Sequence, residues 1–175
     1  MTHPTLGDEI KKRDPFESLE QEVSLNMART SDRLGGVFTP ILKRAGLTGA
    51  QYNVLRILRG AGVPLPCQEI AGRMITQLPD ITRLVDRLEL AGLVVRSRPD
   101  HDRRVVLIEI TACGLALLQT LDGPVLETHR ALLSHLTADE LRELNRLLVK
   151  ARNGLASRGR PSAETPGADA GPCLT

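Results

Sequence analysis

Residues 77–104 read QLPDITRLVDRLELAGLVVRSRPDHDRR, and this stretch decides the fold. Its first part has the apolar spacing of one face of an α-helix, at Ile81, Leu84, Val85 and Leu88. Pro79 stands where proline tolerates a helix start, and Gly92 predicts the end of the helix. Two β-type runs, 93–96 and 105–110, follow with a charged loop between them. Helix, strand, loop and strand in this order predict the recognition helix and wing of a winged helix-turn-helix.

The polar side of the predicted recognition helix carries candidate DNA contacts. Asp80, Arg83 and Arg87 share a face, flanked by Thr82 and Asp86. A helix of this kind fits the major groove, where threonine and arginine side chains reach base edges. The loop arginines suit a narrow, electronegative minor groove: Arg98, Arg103 and Arg104. Arginines and acids nearly balance over the whole stretch, so charge alone would not predict DNA binding.

Three helices are predicted before the recognition helix. The first opens at residues 14–17, an Asp cap followed by Pro, and is expected to bend or break between 35 and 40, at Gly-Gly and Pro. Gly46 is expected to end it. Residues 48–51 form a capping box for a second helix, and a short third helix covers about 67–74. The second, third and fourth helices are brief and closely linked, as a tri-helical DNA-binding unit requires.

Two longer helices are predicted after the wing. Thr111 caps a fifth helix to about His135, with a kink expected at Gly123-Pro124, and residues 137–140 form a capping box for a sixth helix to about Ala156. Both carry leucine stripes beyond what one winged unit can cover. Since one recognition helix reads few base pairs and a two-fold pair reads a palindrome, the outer helices predict a homodimer.

The expected fold class is therefore all-α with a small β-wing: a winged helix-turn-helix of six helices, dimeric through its N- and C-terminal helices. Residues 1–13 are short, polar and unpatterned, and the tail 157–175 is rich in Gly, Pro, Ala and Ser, so disorder is predicted for both. The domain between them spans 14–156. Its expected parts are dimerisation helices at about 14–45 and 112–156, and a DNA-binding unit at about 48–110.

Composition narrows the function classes. The chain has 175 residues, 41% hydrophobic and 25% charged, which are ordinary values for one globular domain. The net charge is only +2, so nucleic-acid affinity must come from local clustering. Aromatic residues make up 2%, too few for the stacking platforms of a single-strand binder. No apolar run has transmembrane length and no signal peptide is evident, so we expect a cytoplasmic protein without a membrane partner.

The cysteines and histidines predict neither a disulfide framework nor a metal site. Cys67, Cys113 and Cys173 are odd in number and widely spaced, and no histidine pair has metal-ligand spacing. Cys67 and Cys113 each open a predicted helix, where the pKa of a thiol can be lowered. A redox switch therefore remains an alternative for these two cysteines, although we favour their interpretation as small buried residues. Catalytic motifs are absent, so we expect no enzyme activity and no cofactor.

The order of these segments resembles the MarR family of bacterial winged helix-turn-helix transcriptional regulators. The resemblance spans about 16–156 and rests on Leu47-Thr48, QYNVL at 51–55, EIA at 69–71, ITRLVDRLE at 81–89, GLV at 92–94 with Arg96, DRR at 102–104, and Ile110-Thr111 with Gly114. It implies an obligate dimer that binds double-stranded DNA at an operator, usually as a repressor. It also implies that a small-molecule effector or oxidation often relieves repression, although no polar cluster in this sequence identifies the ligand.

The resemblance assigns DNA-binding roles residue by residue. Family contacts from the recognition helix fall on Leu78, Asp80, Thr82 and Arg83, and those from the wing on Asp102 and Arg104, with Arg103 between. Pro79, Arg87 and Arg98 complete the candidate set. In the family the wing arginine enters the minor groove and the aspartate helps to hold it. Many relatives have polar or basic residues where this chain has Leu78 and Asp80. Leu78 offers only apolar contact, while Asp80 accepts from a donor such as cytosine N4 or stabilises the helix N-terminus.

A second hypothesis comes from another class of protein. A winged-helix protein-interaction module would use the wing and fourth helix to bind a protein partner, and such modules usually replace groove-facing arginines by apolar residues. Arg83, Arg103 and Arg104 argue against this alternative, whereas Leu78 and Asp80 argue weakly for it. The prediction is a transcriptional repressor that binds a pseudo-palindromic operator as a homodimer.

Overall fold

The computed structural model describes residues 4–77, 79–98 and 105–156, which form seven helices and three short strands. In chain order these are α1 (Leu6–Glu9), α2 (Leu19–Arg44), α3 (Gly49–Ala61), β1 (Leu65–Pro66), α4 (Cys67–Arg73), α5 (Ile81–Leu90), β2 (Val94–Ser97), β3 (Leu107–Ile110), α6 (Ala112–Leu132) and α7 (Ala138–Ala156). The chain divides into two compact units between Leu132 and Leu133. All elements except α7 belong to the first unit.

The predicted winged unit is confirmed. Helices α3, α4 and α5 are followed by the antiparallel pair β2 and β3, in which Arg96 lies opposite Ile108. Strand β1 pairs with the other edge of β3, so the sheet order is β1-β3-β2. Strand β1 was not predicted, because it has only two residues and one of them is Pro66, which cannot donate to a strand partner.

One apolar core joins these elements. Its fully buried side chains come from α3, α4, α5, β3 and α6: Val54, Leu55, Leu58, Ile70, Val85, Leu88, Ile108 and Leu118. The apolar stripe of α5 is thus turned inward against α3 and the sheet. Because Val85 and Leu88 are completely buried, the rotation of α5 about its axis is fixed, and its polar face is left to solvent.

Of the two ends of helix α2, only the N-terminal end departs from the prediction. The helix begins after Ser18, whose hydroxyl accepts from the backbone N–H of Gln21 at 3.2 Å, and not at the predicted Asp14 cap. Ser18 therefore supplies the N-cap, while Pro15 remains outside the helix. At the other end, Gly46 takes a positive φ of 72° after the last turn, as predicted.

Helix α2 is continuous through Pro40, where a bend or break was predicted, and α6 likewise contains Pro124. The predicted break of α2 is wrong. Proline removes one backbone hydrogen bond, but Phe38, Ile41 and Leu42 pack on the core on both sides of Pro40 and hold the turn.

A short helix lies where disorder was predicted. Thr5 and Asp8 form a reciprocal capping box for α1, with the Thr5 N–H donating to the Asp8 carboxylate at 2.9 Å. Leu6 is buried, and the Glu9 carboxylate accepts from Arg33 at 2.6 Å. The buried Leu6 side chain and the ion pairs of Glu9 with α2 thus stabilise α1, although its sequence is too polar to predict a helix.

The second unit contains α7. The predicted capping box is present, because the Thr137 N–H donates to Glu140 at 2.8 Å and the Glu140 N–H donates to the Thr137 hydroxyl at 3.3 Å. Large apolar side chains of α7 are exposed: Leu144, Leu147, Val149 and Leu155. Among the described residues, no helix has the length and apolar character to span a membrane.

Candidate nucleic-acid interface and effector cavity

Asp80 holds the start of the recognition helix α5. It is the N-cap residue, and its Oδ1 accepts from the backbone N–H of Arg83 at 3.0 Å. Its Oδ2 lies 3.6 Å from Nε of the same Arg83. The structure therefore gives Asp80 the helix-stabilising role considered in the sequence analysis, and it leaves the carboxylate on the exposed surface.

The predicted polar face of α5 is present and exposed. Pro79, Asp80, Arg83 and Arg87 line one shallow recess, and the Arg83 side chain is 77% exposed. Arg87 makes no ion pair with any described residue, and Arg83 keeps only the 3.6 Å contact of its Nε with Asp80, so most of both guanidinium groups faces solvent. Thr82 is exposed on the flank of this face that turns toward the wing.

Arg96 clamps the wing to the recognition helix. Its guanidinium donates to Asp86 and Glu89 of α5, at 2.5 Å in each case. The Arg96 side chain is only 26% exposed, so the three groups form a partly desolvated cluster at the base of the wing. This Arg96 clamp fixes strand β2 relative to α5, and its single positive charge offsets half of the negative charge of Asp86 and Glu89.

The wing itself is described only at its base. Arg98 is exposed and shares a groove with Thr82, Asp86 and Val106, between α5 and the strands. The four remaining candidate contacts lie outside the described residues: Leu78, Asp102, Arg103 and Arg104.

The environment of Cys67 favours the structural reading of this residue. Burial raises the pKa of the Cys67 thiol, an effect that nearby Arg96 partly opposes. A raised pKa keeps the thiol protonated at neutral pH, whereas a reactive cysteine needs the thiolate. Cys113 is exposed, so the expectation of a small buried residue is wrong at this position, and Cys173 lies outside the described residues. In the described part of the chain, no three histidine, cysteine or acidic side chains group as metal ligands would.

A cavity of about 660 Å³ lies beside the winged unit; the resemblance implied a ligand pocket, but none of the lining residues was predicted. Its walls come from α3, from α6 and from the loop that follows α4. They are lined by Gly49, Ala50, Tyr52, Asn53, Arg56, Met74, Ile75, Thr76, Asp122, Val125, Leu126 and His129. The volume suits a small organic molecule. Sequence patterns could not reveal it, since its residues come from three segments that only the fold brings together.

Two arginines lie near Asp122 of the cavity wall, and they differ in how closely they pair with it. Arg59 of α3 donates to both carboxylate oxygens of Asp122 on α6, at 2.8 and 2.7 Å. This hydrogen bonding lowers the pKa of Asp122 and raises that of Arg59. Arg56 lies farther away, 3.8 Å from Asp122, and donates to the Tyr52 hydroxyl at 3.0 Å. Arg56 is therefore the cation that remains available to an anionic ligand.

A capped helix with an exposed arginine face, packed beside a two-stranded wing on a tri-helical unit, defines a winged helix-turn-helix DNA-binding protein. The MarR family model matches residues 47–106. The HTH-type transcriptional regulator FarR of Neisseria gonorrhoeae is 30% identical over 136 residues, which cover 78% of this chain and 92% of FarR. The chain belongs to the MarR family of transcriptional regulators.

Solved structures agree with this assignment. A MarR transcription factor from Planctomyces limnophilus is 44% identical, with a TM-score of 0.59, and the match covers 77% of this chain and 98% of that one. NadR in complex with 4-hydroxyphenylacetate is 30% identical, with a TM-score of 0.64, and the match covers 79% of this chain and 97% of NadR. A relative of the same fold thus binds a small aromatic carboxylate.

Proposed function

We propose that this protein is a repressor that binds a pseudo-palindromic operator as a homodimer and leaves it when a small aromatic carboxylate occupies the α3–α6 cavity. The observation that carries the proposal is the exposed face of α5, where the Arg83 side chain is 77% exposed and lies with Arg87 beside a helix start held by Asp80. Because its partner is chromosomal DNA, we place the protein in the bacterial cytoplasm.

The DNA-binding part of the proposal follows from geometry. The buried stripe of α5 fixes its exposed face, and the Arg96 clamp sets the wing beside it. Arg83 then reaches a base edge in the major groove, while Arg87 and Arg98 are placed for phosphate. Arg104 would enter the minor groove, and Asp102 would hold it extended.

Dimerisation follows from exposed apolar surface outside the winged unit. On α2 the exposed large apolar side chains are Leu19, Val23, Leu25, Met27 and Val37. Helix α7, considered separately, exposes Leu144, Leu147, Val149 and Leu155. Helices that leave this much apolar surface uncovered in one chain are suited to a second copy, and a two-fold pair of α5 helices reads a palindrome.

The effector class follows from Arg56 and its surroundings. Asp122 is already paired with Arg59, so a ligand carboxylate would compete only for the longer 3.8 Å contact with Arg56. Apolar walls at Met74, Val125 and Leu126 suit an aromatic ring. NadR, which binds 4-hydroxyphenylacetate, supports this chemistry as a family precedent.

Selection of bound sequences from random duplex DNA tests the central proposal. We expect an inverted repeat with half-site centres about 10 base pairs, or a multiple of it, apart. Sedimentation at micromolar concentration should give a dimer. Failure to enrich any sequence would contradict operator binding and favour a protein-interaction module, and a stable folded monomer would contradict the dimer.

Titration calorimetry with 4-hydroxyphenylacetate tests the cavity. We expect binding that Arg56→Ala weakens, since the guanidinium supplies the counter-charge. Arg73→Ala is the matched control, because Arg73 pairs with Glu69 on α4 and does not line the cavity. Equal loss in both variants, or none in either, would contradict the assigned role of Arg56.

A further inference from the structure

The loop between α4 and the recognition helix is held at Ile75 by a single side chain. Met74 is buried, but the side chain of the next residue, Ile75, is 89% exposed and contributes no anchorage. The Ile75 backbone N–H instead donates to Oδ1 of Asn53 on α3, at 2.9 Å. This hydrogen bond ties the loop to the helix that forms the centre of the core.

Asn53 also lines the proposed effector cavity. The same cavity is bounded by Met74, Ile75 and Thr76, so the loop is one of its walls. Asn53 therefore joins the α3 wall of the cavity to the loop, with its Oδ1 accepting from the Ile75 N–H. Its Nδ2 donates to no other described residue, and it is open to an acceptor in the cavity.

The loop leads directly to the start of the recognition helix. Asp80, the N-cap of α5, follows Ile75 by five residues. We expect a displacement of Ile75 to reach the helix start, where the backbone N–H of Arg83 donates to Asp80. The position of Ile75 thus bears on the face that meets DNA.

We propose that Asn53 is the positioning residue that couples the effector cavity to the recognition helix. A ligand carboxylate that accepts from Nδ2 draws the carboxamide away from Ile75 and releases the loop before α5. This inference rests on the proposed function of the cavity. In the absence of ligand, the Asn53–Ile75 hydrogen bond holds α5 in the orientation that binds the operator.

Amide hydrogen exchange of Ile75 in the free, full-length protein tests the hydrogen bond without any ligand. Asn53→Ala removes the acceptor and should speed exchange of the Ile75 N–H about fivefold to tenfold, the effect of losing one hydrogen bond. Asn53→Asp keeps an acceptor and should retain protection. Tyr52→Phe is the matched control, because it alters the same cavity wall without touching the loop. Unchanged Ile75 exchange in Asn53→Ala would overturn the proposal.

Measurements of binding to the selected operator distinguish a positioning role of Asn53 from a purely structural one. Asn53→Ala should lower operator affinity about fivefold to tenfold with base preferences unchanged, and Asn53→Asp should restore most of it. If 4-hydroxyphenylacetate binds, it should weaken operator binding by wild type but change it little in Asn53→Ala. An equal effect of the compound on both proteins would overturn the coupling. A wild type that does not bind the compound would count against the proposed effector, while the exchange and operator measurements still decide the role of Asn53.

Discussion

Gly114 lies so close to Leu93 that a Cβ at Gly114 would be 2.4 Å from the Leu93 carbonyl oxygen. The same carbonyl accepts from the backbone N–H of Thr111 at 3.1 Å, and the Thr111 hydroxyl donates to the carbonyl of Gly92 at 2.8 Å. The first turn of α6 is therefore locked to the turn that ends the recognition helix. Any side chain at Gly114 would force these backbones apart.

Gly114→Ala should lower the free energy of unfolding by about 1–3 kcal/mol, because the atom it meets is backbone and cannot rotate away. Gly35→Ala in α2 is the control inside a helix, since nothing lies within 4 Å of a Cβ there and no proline follows it. That substitution should stabilise the protein by about 0.5–1 kcal/mol. Urea denaturation of both variants measures the difference, and similar stabilities would contradict the close approach.

Arg83→Ala should cost about 1–3 kcal/mol on the selected operator and relax the preference at one base pair in each half-site. The reason is that its side chain, 77% exposed on the polar face of α5, is placed for a base edge. Arg33→Ala, on α2 and paired with Glu9, is the control for loss of a surface arginine. Binding should be measured on matched and single-base-changed operators. A uniform loss on every sequence would reassign Arg83 to phosphate.

Arg104→Ala should weaken binding without shifting any defined base, because the minor groove distinguishes A·T from G·C but little more. It should also reduce the salt dependence of log K by about one charge. A salt titration of operator binding checks both effects. Full affinity and an unchanged salt dependence of Arg104→Ala would mean that the wing does not enter the minor groove. That result would favour a winged-helix protein-interaction module.

Asp122→Asn should destabilise the protein at neutral pH and have less effect in acid. Hydrogen bonding to Arg59 lowers the pKa of Asp122 in the folded state, so its contribution is present above the pKa of the unfolded chain and is lost as pH falls through the folded pKa. Urea denaturation at pH 7 and below about pH 4 measures the free energy of unfolding of both proteins. The difference between Asp122→Asn and wild type should therefore be smaller at the lower pH. An equal difference at both pH values would assign the effect to packing.

Replacing Cys67, Cys113 and Cys173 together by serine or alanine should leave operator affinity and its response to peroxide unchanged. Burial raises the pKa of the Cys67 thiol, which disfavours the reactive thiolate. Gel-shift titrations before and after peroxide treatment make the comparison. A peroxide response that disappears in the triple variant would restore the redox alternative.

The winged unit could be predicted because its signals are local. The stripe from Ile81 to Leu88, the capping boxes at Thr48 and Thr137, and the closing glycine Gly92 each depend on residues a few positions apart. Periodicity and caps report contacts within one element or its next turn. The structure places those elements as predicted.

The parts that were missed depend on distant partners. Helix α1 becomes ordered only through contacts of Leu6 and Glu9, and Pro40 remains helical only because its neighbours reach the core. The Asn53–Ile75 hydrogen bond joins residues 22 positions apart, and the cavity joins three separate segments of the chain. The Thr5–Asp8 capping box is a local signal that could have predicted the start of α1, and it was overlooked.

On the proposed DNA-binding face, a carboxylate at the start of α5 would change how the protein is distributed along a chromosome. Asp80 accepts from the backbone N–H of Arg83, so its charge would stay beside whatever DNA the helix meets. Non-specific association is driven by phosphate charge, and a negative group on the DNA-binding face would weaken it at every sequence. Cognate sites would recover the loss through base contacts. Less of the protein would then be held on bulk DNA, and a smaller number of copies would suffice to keep one operator occupied.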